Sequence, residues 1–187
     1  MPCLVPAGDT QQLIFIQTKL SGVYIVEPER REDDRGFFAR TFCVREFKER
    51  GLATEFVQCS ISVSRARGTL RGLHYQLPPV AEAKLVRCTS GGIFEVVVDL
   101  RPGSPTHLQH VGVELNAQNR RALFIPESCA NGLQTLADET EVFYQISRYY
   151  SPEKSAGLRF DDPKLGIAWP LPVGTISDKD RNWPLLD

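Results

Sequence analysis

Histidine is scarce in this chain, with three in 187 residues, at positions 74, 107 and 110. They form no H-x-H pair with a glutamate close behind, so a histidine-built metal centre is not expected. Cysteine offers no alternative ligand set. Cys3, Cys43, Cys59, Cys88 and Cys129 are an odd number without a C-x-x-C pair, and they read as free thiols, small buried hydrophobes of a reducing cytosol. A cytoplasmic location is therefore expected. Excess charge of either sign is missing too: 22 basic and 23 acidic side chains give a net charge of -1, which provides no general field for a nucleic acid. An anionic partner must be met by local arginines. Long apolar runs are absent, "LIFIQ" (13–17) being far too short for a span and lacking the flanks of a signal peptide, so no membrane partner is expected. There is no GxGxxG, no GxxxxGK and no G-x-S-x-G, which removes the usual phosphate loops and the nucleophile elbow.

What is present is a texture of short β-branched and aromatic runs: "GVYIVEP", "EFVQCSISVS", "KLVRCTS", "GIFEVVVDL", "HVGVELN", "ALFIP" and "EVFYQISRYY". Between them "TSGG", "RPGSP" and "NAQNRR" supply turn residues. Nothing separates a second domain: there are no repeats, linkers or low-complexity tracts, and the length suits one core. One domain over 1–187 is expected, with residues 1–18 flexible. The one helical stretch is "VREFKERGL" (44–52), a peripheral cap with Val44, Phe47 and Leu52 on one side and Gly51 ending it. The fold class is all-β, an antiparallel barrel or jelly roll.

In such a fold, alternation assigns faces. In "EVFYQIS", Tyr144 shares a face with Val142 and Ile146, as a core tyrosine also would. In "LRGLHYQ", strict alternation puts Arg71 and His74 on opposite faces; only if Gly72 sits in a bulge do both reach one cavity. With metal and nucleophilic chemistry unsupported, proton transfer is the chemistry that remains.

Seven separated blocks carry a resemblance. "DDRGFF", "TLRGLHYQLPP", "EAKLVRCTSGGIFEVVVDLRPGSPT", "IPESCANGLQTL", "TEVFYQISRYYSPE", "DDPKLGIAWP" and "ISDKDRNWP" occur in the order and approximate spacing of the dTDP-4-dehydrorhamnose 3,5-epimerase family, over roughly residues 20–186. The resemblance implies a cupin, that is, a double-stranded β-helix jelly roll. It further implies a homodimer acting on a nucleotide-diphosphate 4-keto-6-deoxyhexose in deoxysugar biosynthesis, with no cofactor and no metal.

A C4 ketone acidifies the hydrogens on C3 and C5, and inversion then needs a base on one ring face and an acid on the other. By the resemblance, His74 is that base, Asp180 orients it, Tyr144 is the acid and Lys84 steadies the enolate oxygen. Arg35 and Arg71 contact the diphosphate, Gln58 and Ser60 sit near the nucleotide, and Tyr150 stacks on the base. Read alone, Asp180 is a solvated aspartate and Lys84 a surface lysine.

The chain departs from the pattern at substrate-facing positions. Asn131 stands where histidine is usual, Arg40 where glutamate is common, Glu95 where aspartate is usual, and Ser60 and Ser155 replace an asparagine and a glutamate. Asn131 can donate a hydrogen bond but cannot become a cation. These departures leave open a sugar other than the rhamnose precursor, inversion at one centre only, or a nucleotide other than dTDP. Two further readings stay open: a sugar-nucleotide-binding cupin without turnover, and an isomerase using the same enolate.

Overall fold

A computed structural model describes residues 12–187, and two facing antiparallel sheets dominate it. The first runs in the order β1 (Leu13–Gln17), β2 (Tyr24–Pro28), β10 (Ala122–Ile125), β7 (Lys84–Ser90), β12 (Thr140–Ile146) and β5 (Gln58–Ser64). The second runs β13 (Ser155–Gly157), β6 (Leu70–Gln76), β11 (Cys129–Thr135), β8 (Gly92–Asp99) and β9 (His110–Asn116). A separate ribbon pairs β3 (Arg30–Asp33) with β4 (Gly36–Ala39). Neighbours in the sheets are mostly distant in sequence, as a jelly roll requires.

Alternation builds three apolar layers. Between the sheets, Val86, Leu123, Ile125 and Val142 meet Ile93, Val97, Leu115 and Leu133. The outer face of the first sheet is covered by α1 (Val44–Lys48), whose fully buried Phe47 makes edge contacts with Phe15, Phe42 and Phe124. The outer face of the second is covered by the C-terminal segment through Leu158, Leu165, Ile167 and Trp169. This last layer positions the site, because it leads into α2 (Asp178–Arg181) beside β6.

Three sequence expectations change. Helix α1 is shorter than 44–52, and Val44 is exposed while Phe47 and Leu52 pack. Within the stretch expected to be flexible, Leu13–Gln17 pairs along its whole length with β2. The rest of that expectation, and Cys3, lie outside the described residues. Helix α2 was not foreseen; it is too short for a hydrophobic period, but Ser177-x-x-Asp180 is a capping pattern, and the Asp180 amide donates to Ser177 Oγ at 3.1 Å.

Candidate active site

Between the two sheets a cavity of about 680 Å³ opens, within the usual range for a small-molecule site. It is lined by His74, Asp180, Tyr144, Lys84, Arg71, Gln58, Ser60, Asn131, Tyr150 and Ser155 together with others, so most of the residues singled out in sequence converge.

The bulge is what brings two of them there. On β11 the partner of Arg71 is Leu133 and the partner of His74 is Asn131, so two residues of β6 oppose the single Gly132. Leu73 then points outward into its own apolar layer, while Arg71 and His74 both line the cavity. Gly72 has φ +117°, and a Cβ there would lie 2.5 Å from Gly132 Cα and 2.8 Å from the Asn131 carbonyl oxygen. Gly72→Ala is expected to cost about 1–3 kcal/mol, read from urea unfolding, and to lower activity by displacing His74.

His74 Nε2 lies 2.6 Å from Asp180 Oδ1, and the Gly72 amide donates to Oδ2 at 3.1 Å. Burial pushes the Asp180 carboxyl upward, but the hydrogen bonds from His74, Gly72 and Ser177 outweigh it and hold the group below its ordinary value. The ionised carboxylate accepts a hydrogen bond from Nε2–H of the imidazole, which leaves the ring's lone pair on Nδ1.

From the facing sheet come Tyr144 on β12 and Lys84 at the start of β7. The Tyr144 hydroxyl is 3.3 Å from Ser62 Oγ; burial, and next the nearby Glu95, push its pKa upward, so it stays protonated at neutral pH. Lys84 Nζ donates to Asn131 Oδ1 at 2.7 Å and pairs with Glu82 Oε1 at 3.0 Å. Asn131 Nδ2 donates in turn to Glu95 Oε1 at 2.7 Å.

Glu95 is fully buried, and burial raises its pKa from 4.5 to about 8 against smaller opposing effects of Asn131 and Lys84. The folded chain thus holds this proton where an unfolded glutamate has lost it, so stability falls as pH rises between those two values, by at most about 1.4 kcal/mol per unit. Glu95→Gln is expected to remove that slope. Thermal unfolding at pH 5 and pH 8 checks this: the variant gains on the parent at pH 8 and not at pH 5.

At the nucleotide end, Arg71 is held by Ser64 Oγ and the Val63 carbonyl, and Gln58 Oε1 accepts from the Tyr150 amide at 2.8 Å. Arg35 and Arg40 do not join them. Arg35 sits at the tip of the β3–β4 ribbon, its side chain 89% exposed and paired with Asp33, and Arg40 pairs with Glu46 of α1. Both lie on elements outside the two sheets that enclose the cavity. The structure places neither against the cavity of its own chain.

Sequence reading missed Glu82 and Lys179, which also line the cavity. Glu82 shares strand parity with Lys84, the one signal that points to it. Among the described residues, no group of His, Cys, Asp or Glu is arranged to hold a metal ion, and no helix is long and apolar enough to cross a membrane.

The sequence profile described as dTDP-4-dehydrorhamnose 3,5-epimerase matches residues 17–187. The chain belongs to the dTDP-4-dehydrorhamnose 3,5-epimerase family. It is 48% identical over 175 residues to the enzyme of that name from Methanothermobacter thermautotrophicus, covering 92% of this chain and 94% of that one. The crystal structure of the Bacillus anthracis enzyme of that name, with TDP and PPi bound, superposes with a TM-score of 0.90 at 39% identity, covering 94% of this chain and all of the other. A Streptomyces niveus protein named dTDP-4-dehydrorhamnose 3-epimerase is 38% identical over 168 residues, 89% of this chain and 81% of that one. As a family member the chain is an enzyme of the isomerase class, an epimerase with the cupin jelly-roll fold.

Proposed function

We propose that this epimerase acts on a dTDP-linked 4-keto-6-deoxyhexose and inverts both C3 and C5, in deoxysugar biosynthesis. The observation that carries the reading is the placement of His74 and Asp180 on one wall of the cavity, with Tyr144 and Lys84 on the wall from the facing sheet. A base and an acid on opposite ring faces are what inversion through an enolate needs. His74 Nδ1 takes the proton from the carbon beside the ketone. The electron pair moves into the C4 oxygen, where Lys84, two of its donors occupied by Asn131 and Glu82, has one N–H left to give. Tyr144 returns a proton from the other side.

The nucleotide end is read by Arg71, Gln58, Ser60 and Tyr150, while Asn131 stands beside Lys84. Arg35 fits a diphosphate role only if it comes from another subunit, so we propose a homodimer in which the β3–β4 ribbon of one chain serves the cavity of its partner. The exposed Phe37 and Phe38 on that ribbon support such a use.

Inversion at one centre is a second reading, favoured by the relative named as a 3-epimerase and by Asn131 in place of histidine. The test is incubation with dTDP-4-keto-6-deoxyglucose and its CDP counterpart, with the product's ring couplings read by NMR. The reading expects the C3,C5-inverted dTDP sugar. Inversion at C3 alone selects the second, and an unchanged dTDP sugar overturns both.

A further inference from the structure

The hydrogen bonds around Lys84 have a forced direction. An ammonium only donates, so the Asn131 atom 2.7 Å from Nζ must be the amide oxygen. The amide nitrogen then faces inward and must find an acceptor, which Glu95 Oε1 supplies at 2.7 Å. Glu95 is fully buried, does not line the cavity, and has its other oxygen without a hydrogen-bond partner. It cannot touch substrate, yet an uncompensated buried carboxyl is costly to keep.

By the resemblance, Asn131 stands where histidine is usual and Glu95 where aspartate is usual, the first side chain the shorter of its pair and the second the longer. Asn131 faces Val97 and Glu95 faces Leu133 in the β11–β8 register, so they meet diagonally across adjacent strands and fill one gap between them.

We infer that Glu95 and Asn131 are a matched positioning pair: Glu95 fixes the amide of Asn131, and Asn131 aims the ammonium of Lys84 at the substrate's enolate oxygen. The inference rests on the reading of Lys84 given above. With the acceptor gone, the Asn131 amide is held only by Lys84 itself, its Nδ2–H left without a partner, and it no longer fixes where the ammonium points. Glutamine at 95 still offers an oxygen, so it preserves the chain of bonds; leucine does not.

The test is steady-state kinetics of Glu95→Leu, Glu95→Gln and Lys84→Met with the dTDP-4-keto sugar. A single donor to a developing oxyanion is worth about 10²–10³-fold in kcat, so misaiming one is expected to forfeit about 10–100-fold of that. Glu95→Leu is expected to lose that much in kcat with KM changed less than about twofold, because the interaction is made in the transition state. Glu95→Gln is expected to recover most of the loss. Full kcat in Glu95→Leu, or Glu95→Gln as impaired as Glu95→Leu, overturns the pair while a defective Lys84→Met leaves the reading of Lys84 standing. A Lys84→Met variant with undiminished kcat removes that reading itself. Should Glu95→Leu fail to fold, Asn131→His with and without Glu95→Asp decides: the single variant is expected to lose kcat and the double to regain it, and a double no better than the single overturns the inference.

Discussion

His74→Ala is expected to lower turnover of the dTDP-4-keto sugar by about 10²–10⁴-fold, the range that a positioned general base contributes. The loss should fall on kcat, with little change in KM, because His74 does its work on the proton and the nucleotide end is held by Arg71, Gln58 and Tyr150. The fold should survive. His74 is part-buried, its side chain 43% exposed, and the backbone of β6 is fixed by β11 and β13 whatever the side chain. Solvent deuterium should no longer enter the sugar, since among the described residues of that wall His74 is the base oriented by a carboxylate. Unimpaired turnover in a folded His74→Ala protein would mean that the proton is taken by another group.

Tyr144→Phe should separate two events that His74→Ala abolishes together. Removing the hydroxyl takes away the acid on the facing sheet but leaves His74 and Asp180 untouched. The enolate then forms and can be reprotonated only from the face it came from. Inversion should fall by about 10²–10⁴-fold while deuterium exchange without inversion continues at the same carbon. The phenyl ring keeps the packing against the inter-sheet core, and only the 3.3 Å contact with Ser62 is lost. Equal loss of exchange and inversion would show that Tyr144 is needed before proton removal, as a binding or orienting group.

Much of this was written in short-range patterns. Runs of β-branched and aromatic residues marked β5, β7, β8, β9 and β12, and the glycine inside "LRGLHYQ" pointed to the place of the bulge that turns Arg71 and His74 to one cavity. Strand β11 gave no alternation because it is buried on both faces, and "CANGLQT" is small and polar. The β3–β4 ribbon is mostly exposed and charged, so burial leaves no period in it. Contacts between distant residues were the least legible: 106 positions separate His74 from Asp180, and only the family resemblance joined them. The same resemblance placed Arg35 and Arg40 at the substrate without saying which chain's substrate. Glu95 lies inside an apolar-looking strand and gains its significance from Asn131, which only the fold brings to it, while Glu82 stands two residues before Lys84 and only the structure shows that they pair.

The most direct test of a two-walled proton transfer is proton NMR of dTDP-4-keto-6-deoxyglucose with the wild-type protein in deuterium oxide. The account predicts that the C3 and C5 proton signals both disappear as inversion proceeds, and that neither does so with His74→Ala. Retention of both protons by the wild type, with the sugar bound, would contradict it and leave a cavity that holds a nucleotide sugar without acting on it.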